Sequence, residues 1–332
     1  MKHSKVLFKH HLTVWSNFLV EATLQKNAAT WLLENNARTT LFYLEAMTYV
    51  LATMHDDKKL TKLNERFKLI EDSLGTMDYY AGMINDFKGN KKIPVSIIAH
   101  LEVELQTATF KTNALLHEQA WLGKDADRMD KVKQIVRKID WLSDDALIEK
   151  LHNVYHEKTA DITAALSQPI VSIEDDLHEL RRDIRWLSIY PQAFKGYITL
   201  TRPRAIVARK FNKYLTDEVV HSPYNVLTSV PDIISPVQLN ANNFYAMSWF
   251  IAALGTLKDQ GLRLDALTHA IHVTQKISPE AAQAQALAAL GPQQAPLAEI
   301  IQAAEFAMKQ IKTDGIFVGL LRTSPTKADQ SA

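Results

Sequence analysis

Cysteine is absent from the 332-residue chain. That excludes disulfides and thiolate-held metals and leaves no mark of the redox compartment. Glycine and proline are scarce, at 10 and 11 residues, against average usages of roughly 7% and 5%. So little punctuation disfavours turn-rich β structure and favours long helices. No run of apolar residues approaches the ~20 that a membrane-spanning helix needs. The N-terminal segment MKHSKVLFKHHLTVW carries charge throughout and has no signal-peptide core, so the cytoplasm is the expected location. Charge imbalance is lacking too: 38 Lys and Arg stand against 37 Asp and Glu. No global positive field results, and any polyanion site must be a local cluster. There is no Gly-rich phosphate loop and no Gly-x-Ser-x-Gly nucleophile turn.

What is present is helical periodicity in a chain that is 47% hydrophobic and 23% charged. The fold class expected is all-α. Amphipathic helices are predicted over residues 12–34 and 38–54, then over 60–87 with breaks at Gly75 and Gly82. A loop follows at 88–94, then a helix over 95–122 that Gly123 ends. Residues 125–166 are strongly charged, with Met129, Val132, Val136, Ile139 and Leu142 spaced by three and four, and Ser143-Asp144-Asp145 as the turn of a helical hairpin. Further helices are predicted over 173–188, 192–201, 204–220 and 236–258, with Ala- and Gln-rich helices over 261–321. The expected organisation is one domain over 1–322, with a first half at 1–123, the charged hairpin at 124–168 and a second half at 169–322. The polar tail 323–332 is expected to be disordered.

One helix start is written clearly. Ser172 precedes Asp175 by three residues, a capping-box spacing, and Glu174 and Asp176 join it in the first turn. The segment DDLHELRRDIRWL follows. With Leu177 at zero on a helical wheel, Arg181, Arg185 and His178 fall at about 40°, 80° and 100°, and Arg182 borders them at about 140°. Leu177, Leu180, Ile184 and Leu187 form a separate apolar strip. One edge of this helix therefore carries an imidazole and two or three guanidiniums, whose planar forks suit phosphate oxygens. An alternative role for the same residues is structural ion pairing.

LHELRRDIRWL resembles the second histidine-containing helix of the CHAD (conserved histidine α-helical domain) family, with His178, Leu180, Arg181 and Arg185 in the motif positions. Ala252-Ala253-Leu254-Gly255-Thr256-Leu257-Lys258-Asp259 resembles the family's Leu-Gly-x-x-x-Asp segment. Ser73-Leu74-Gly75-Thr76-Met77 echoes it, and Asn35-Asn36-Ala37-Arg38 sits where the first half's histidine motif belongs. The departures are concentrated. Asn35 replaces the first-half histidine; Phe42, Tyr43 and Glu45 stand in place of basic residues; Trp186 and Ser188 replace two more in the second half. The resemblance covers residues 1–275. It implies two similar helical halves and non-catalytic binding of inorganic polyphosphate or a similar polyanion in a basic groove between them. No cofactor or metal is implied. The residues expected to contact the anion are His178, Arg181, Arg182, Arg185 and Arg38, with Lys5, Lys9 and Arg209 at the periphery. Lys5 and Lys9 belong to a run spaced by three and four, and Arg209 to a basic run with Arg202, Arg204, Lys210 and Lys213.

Two other classes compete. One is a helical scaffold whose anion site has decayed and which engages a protein partner through 125–166. The other is a metal-dependent hydrolase. His152 and His156 lie at i and i+4, with Glu157 and Asp161 nearby, and His269 and His272 also share a face. No glutamate follows His152 as His-Glu-x-x-His requires. Nucleic acid is disfavoured, because the chain is nearly neutral and carries no nucleic-acid-binding motif.

Overall fold

The computed structural model describes residues 2–55, 57–124, 126–201 and 208–321. The chain is 73% helical, with twelve α-helices and one two-stranded sheet among the described residues. Its contacts divide it into two compact units. Unit 1 comprises residues 1–142 and 259–300; unit 2 comprises 143–258 and 301–332. The division after Leu142 falls inside the region expected as a hairpin.

Unit 1 contains α1 (His3–Thr23), α2 (Ala28–Glu34), α3 (Ala37–His55), α4 (Lys58–Phe87), α5 (Val95–Glu118) and α6 (Arg128–Lys138). Helix α4 packs against α3 and α5, and α1 packs against α3. The central member is α4, where Leu60, Leu63, Phe67, Ile70, Leu74 and Met77 are all buried. Their alternating steps of three and four make one continuous apolar seam. That seam runs through Gly75 and past Gly82, so the expected breaks do not occur. A glycine inside a helix costs about 1 kcal/mol relative to alanine, less than burying the flanking leucines and aromatics returns. The predicted helix over 12–34 is two helices. Asn27 caps α2, its side chain accepting from Thr30 N at 3.0 Å. A further break lies at Asn36, whose φ of 58° is tolerated by asparagine better than by most residues.

Unit 2 contains α7 (Asp144–Ala165), a π-helical turn (Ile173–His178) running into α8 (Glu179–Ala193), and short turns at Arg209–Phe211, Asp217–Val220 (α9) and Pro223–Asn225. Strand β1 (Ile198–Leu200) pairs in parallel with β2 (Val237–Leu239), with Ile198 opposite Val237. The helix expected over 192–201 therefore stops at Ala193. Gly196 takes a φ of 91°, and the branched Ile198 and Thr199 suit a strand. The helix expected over 204–220 is absent from its described part, which holds only the two short turns at 209–211 and 217–220; Arg202 and Arg204 lie outside the described residues. α10 (Ala241–Gln275) and α12 (Leu297–Thr313) contribute residues to both units, and α11 (Pro279–Leu290) lies in unit 1. α10 runs well beyond the helix predicted to end at residue 258. The tail from 322 onward is also outside the described residues.

Candidate anion-binding site

The strip begins at an unusual helix start. Ser172 Oγ accepts from Asp175 N at 3.0 Å, as the capping spacing anticipates. The reciprocal partner is Asp176, however: its carboxylate accepts from Val171 N and Ser172 N, each at 2.8 Å. The first turn is π-helical, with Leu177 N bonded to Ser172 O at 3.2 Å, and the wider ring shifts the returning carboxylate by one residue. Those two backbone donors hold the Asp176 carboxyl below its usual range. Past the turn, Leu177, Leu180, Ile184 and Leu187 are buried, so the expected apolar face of α8 is the one packed inward. Tyr155 of α7 donates from its hydroxyl to Leu187 O at 2.6 Å, tying the two helices.

His178, Arg181, Arg182 and Arg185 sit on this framework, all half-buried. His178 Nδ1 is shielded from solvent without a hydrogen-bond partner among the described residues. Its nearest acid is Glu174, with Oε2 at 3.8 Å, too far for a hydrogen bond. Burial lowers the imidazole's pKa most and Lys258 next; Glu179 pulls the other way, more strongly than Arg182 or Arg181 each lowers it. Arg182 Nη2 pairs with Glu179 Oε2 at 2.6 Å. Arg181 Nε donates to Ile251 O at 3.1 Å. The carbonyl of Arg185 accepts from Ser188 Oγ at 2.8 Å. Trp186 lies against Tyr190 with ring centroids 6.0 Å apart.

The two Leu-Gly-Thr segments meet the same kind of neighbour. A Cβ on Gly255 would stand 3.0 Å from Arg181 Nε, and one on Gly75 would stand 2.8 Å from Arg38 Nη2. Each glycine thus lets an arginine of another helix in its own unit lie across its helix. The electrostatics around the two arginines differ. Arg38 donates from Nε and Nη2 to Glu71 Oε1 at 3.0 and 2.5 Å, and from Nη1 to Asp78 Oδ2 at 2.9 Å. Glu71 is one turn before Gly75, and Asp78 three residues after it. The corresponding positions around Gly255 are Ile251 and Lys258. Unit 1 therefore sets two carboxylates around its arginine at positions where unit 2 carries an apolar residue and a cation. Phe42 faces the Arg38 guanidinium at 5.7 Å.

The peripheral residues lie on elements of different units. Lys5 and Lys9 share a face of α1 in unit 1. Arg209 is exposed in a single 3₁₀ turn. Its neighbours fold toward Asp314: Lys210 Nζ donates to Asp314 O at 2.6 Å, and Lys213 Nζ lies 2.9 Å from Asp314 Oδ2. Tyr214 also donates to that carboxylate at 2.6 Å, and burial raises its pKa to about 12. His152 and His156 are exposed on α7, and no group of three or more His, Asp or Glu is arranged to hold a metal among the described residues. Lys258 is the site residue that the sequence reading missed. Its signal was its place three residues after Gly255, one turn along from the glycine that Arg181 crosses.

No family model, curated protein or solved structure matches this chain. No helix among the described residues is long and apolar enough to cross a membrane.

Proposed function

We propose that the protein binds inorganic polyphosphate or a similar phosphate-rich anion without cleaving it, through the strip of His178, Arg181, Arg182 and Arg185 together with Lys258. The observation that carries this reading is the edge of α8, where His178, Arg181, Arg182 and Arg185 lie together half-buried, with His178 Nδ1 shielded and without a hydrogen-bond partner among the described residues. In unit 1 the cradle around Arg38 supplies its own counter-charges, Glu71 and Asp78. In unit 2 the matching positions hold Ile251 and Lys258, and burial first, then Lys258, depresses the imidazole of His178. Arg181 and Arg185 are the direct phosphate contacts, and His178 donates when protonated. Arg38 is a structural counterpart, neutralised in place.

The likeness of the Arg38–Gly75 and Arg181–Gly255 contacts also supports an internal repeat of the CHAD kind. The competing reading, a scaffold with a decayed site, is favoured by the losses at Asn35, Phe42 and Glu45.

Long-chain polyphosphate is the probe. Binding to the parent protein at two salt concentrations should weaken steeply with salt, because neutralised phosphates release counterions. Arg181→Gln with Arg185→Gln should abolish most of it at unchanged helix content. Lys58→Gln with Lys59→Gln should not. A double arginine variant that binds like the parent removes the site, and a parent that binds nothing at low salt leaves the scaffold reading.

A further inference from the structure

A cavity of about 480 Å³ lies within unit 1 between α1 and α6, and its lining has a regular origin. On α1, Lys5, Lys9, Leu12, Thr13 and Ser16 step along one stripe of the helix. On α6, Met129, Lys133, Val136 and Arg137 repeat that stepping. Each stripe places cations beside apolar side chains, and the two stripes face each other across the space.

The helix that walls the cavity is fixed at both ends. At its start, Arg128 Nε donates to Gln119 O at 2.8 Å. Just past its end, Trp141 packs edge-on against Phe8 of α1 with ring centroids 5.8 Å apart, and its Nε1 donates to Val136 O at 3.3 Å. Phe8, Trp141, Val132 and Val136 are buried beside the cavity, and α6 also packs against α4. The space is held open between anchored helices and does not depend on a loose segment.

Its chemistry is two-sided. Leu12 and Val136 are buried, and with Met129 they give the cavity an apolar floor. Lys5, Lys9, Lys133 and Arg137 ring it with positive charge, and among the described lining residues there is no carboxylate. Lys133 reaches Asp130 at 3.2 Å, an exposed pair within one turn; such pairs are worth about 0 to 1 kcal/mol and yield readily to a better partner. The volume falls in the range of roughly 300–1,000 Å³ typical of small-molecule sites, which combine an apolar lining with a few charged groups that fix orientation. An inorganic polyanion has no use for such a floor, and a neutral hydrocarbon has no use for such a rim.

We infer that this cavity binds a small amphiphilic anion, a molecule with one carboxylate or phosphate head and an apolar body. The head lies between Lys9 and Arg137, and the body rests on Leu12, Met129 and Val136. Lys5 and Lys9 then serve this ligand, apart from the polyphosphate strip on α8. The inference does not rest on that strip.

Calorimetric titration tests it, with octanoate as the probe, octan-1-ol as the uncharged analogue and tripolyphosphate as charge without an apolar body. Octanoate should bind the parent protein, and each of the other two at least about tenfold more weakly. Lys9→Gln with Arg137→Gln, both exposed at the cavity rim, should weaken octanoate by about tenfold, the sum of two exposed charge interactions. Ser16→Trp, which fills the space from α1 without touching a cation, should block octanoate while leaving polyphosphate binding unchanged. Octanol binding as well as octanoate, tripolyphosphate binding better, or either variant binding octanoate like the parent would overturn the inference. So would a parent protein that binds no octanoate at millimolar concentration.

Discussion

Alanine introduced at Gly75 and at Gly82 should have opposite effects on stability, although both sites lie inside α4. Each change removes a helical glycine, which by itself stabilises by about 0.8–1 kcal/mol. At Gly82 a new Cβ meets nothing within 4 Å, so the gain should appear in full. At Gly75 the Cβ would stand 2.8 Å from Arg38 Nη2, and a contact that short forces a movement. Guanidiniums on free side chains swing aside cheaply, but this one is held by Glu71 and Asp78. Glu71 is nearly buried, its side chain only 8% exposed, so a displaced guanidinium leaves a desolvated carboxylate short of a donor. Losing a charge-assisted hydrogen bond there costs about 1.5–3 kcal/mol. After the propensity gain, Gly75→Ala should be destabilising by about 1–2 kcal/mol. Urea unfolding followed by far-ultraviolet circular dichroism measures both variants. Combining Gly75→Ala with Glu71→Gln isolates the cause, since the penalty should shrink once no buried charge is left behind. If Gly75→Ala stabilises the protein as much as Gly82→Ala does, the arginine is not confined by the glycine as described here.

Three further outcomes follow from the same geometry. Ser172→Ala should lower stability by about 1 kcal/mol through loss of the cap to Asp175 N, measured by the same unfolding assay. Asp314→Ala should cost about 1–3 kcal/mol, because the buried Tyr214 hydroxyl loses its acceptor, and thermal melting will show whether that loss exceeds the one from Lys213→Ala. His178 gives a pH dependence of defined sign. Its folded pKa lies below the unfolded value of 6.5, so between the two the unfolded chain binds more protons and stability falls as pH drops. His178→Gln should flatten that slope below pH 6.5 and leave stability at pH 8 unaffected by this term; a slope unchanged by the substitution would contradict the assignment.

Much of the fold was legible because burial of a periodic apolar face dominates helix formation. The strip of Leu177, Leu180, Ile184 and Leu187 packs inward as its spacing indicated. Val132 and Val136 of α6 do likewise, while Met129, Ile139 and Leu142 of that run stay half-buried. The errors came where a local signal was weighed without its tertiary setting. Gly75 reads as a break, yet its missing side chain makes room for Arg38. Ile198–Leu200 reads as helix until Val237–Leu239, nearly forty positions away, offers a strand partner. The capping box was read one residue early because a sequence does not announce a π-turn. For the candidate site, the arginines and histidine of α8 could be grouped by angle alone. Lys258 could not, since its approach to His178 depends on how α8 lies across α10. Nor could the neutralisation of Arg38, which needs Glu71 and Asp78 from another helix.

The most direct test of the anion site is the titration of the His178 imidazole by nuclear magnetic resonance, assigned with His178→Gln and recorded with and without saturating long-chain polyphosphate. In the free protein it should titrate below 6.5, held down by burial and by Lys258, Arg182 and Arg181. Phosphates laid across those cations cancel their repulsion of the imidazolium, so the midpoint should rise on binding, and affinity should strengthen as pH falls through that midpoint. A midpoint that polyphosphate leaves unmoved at saturation would place the anion elsewhere and contradict the account.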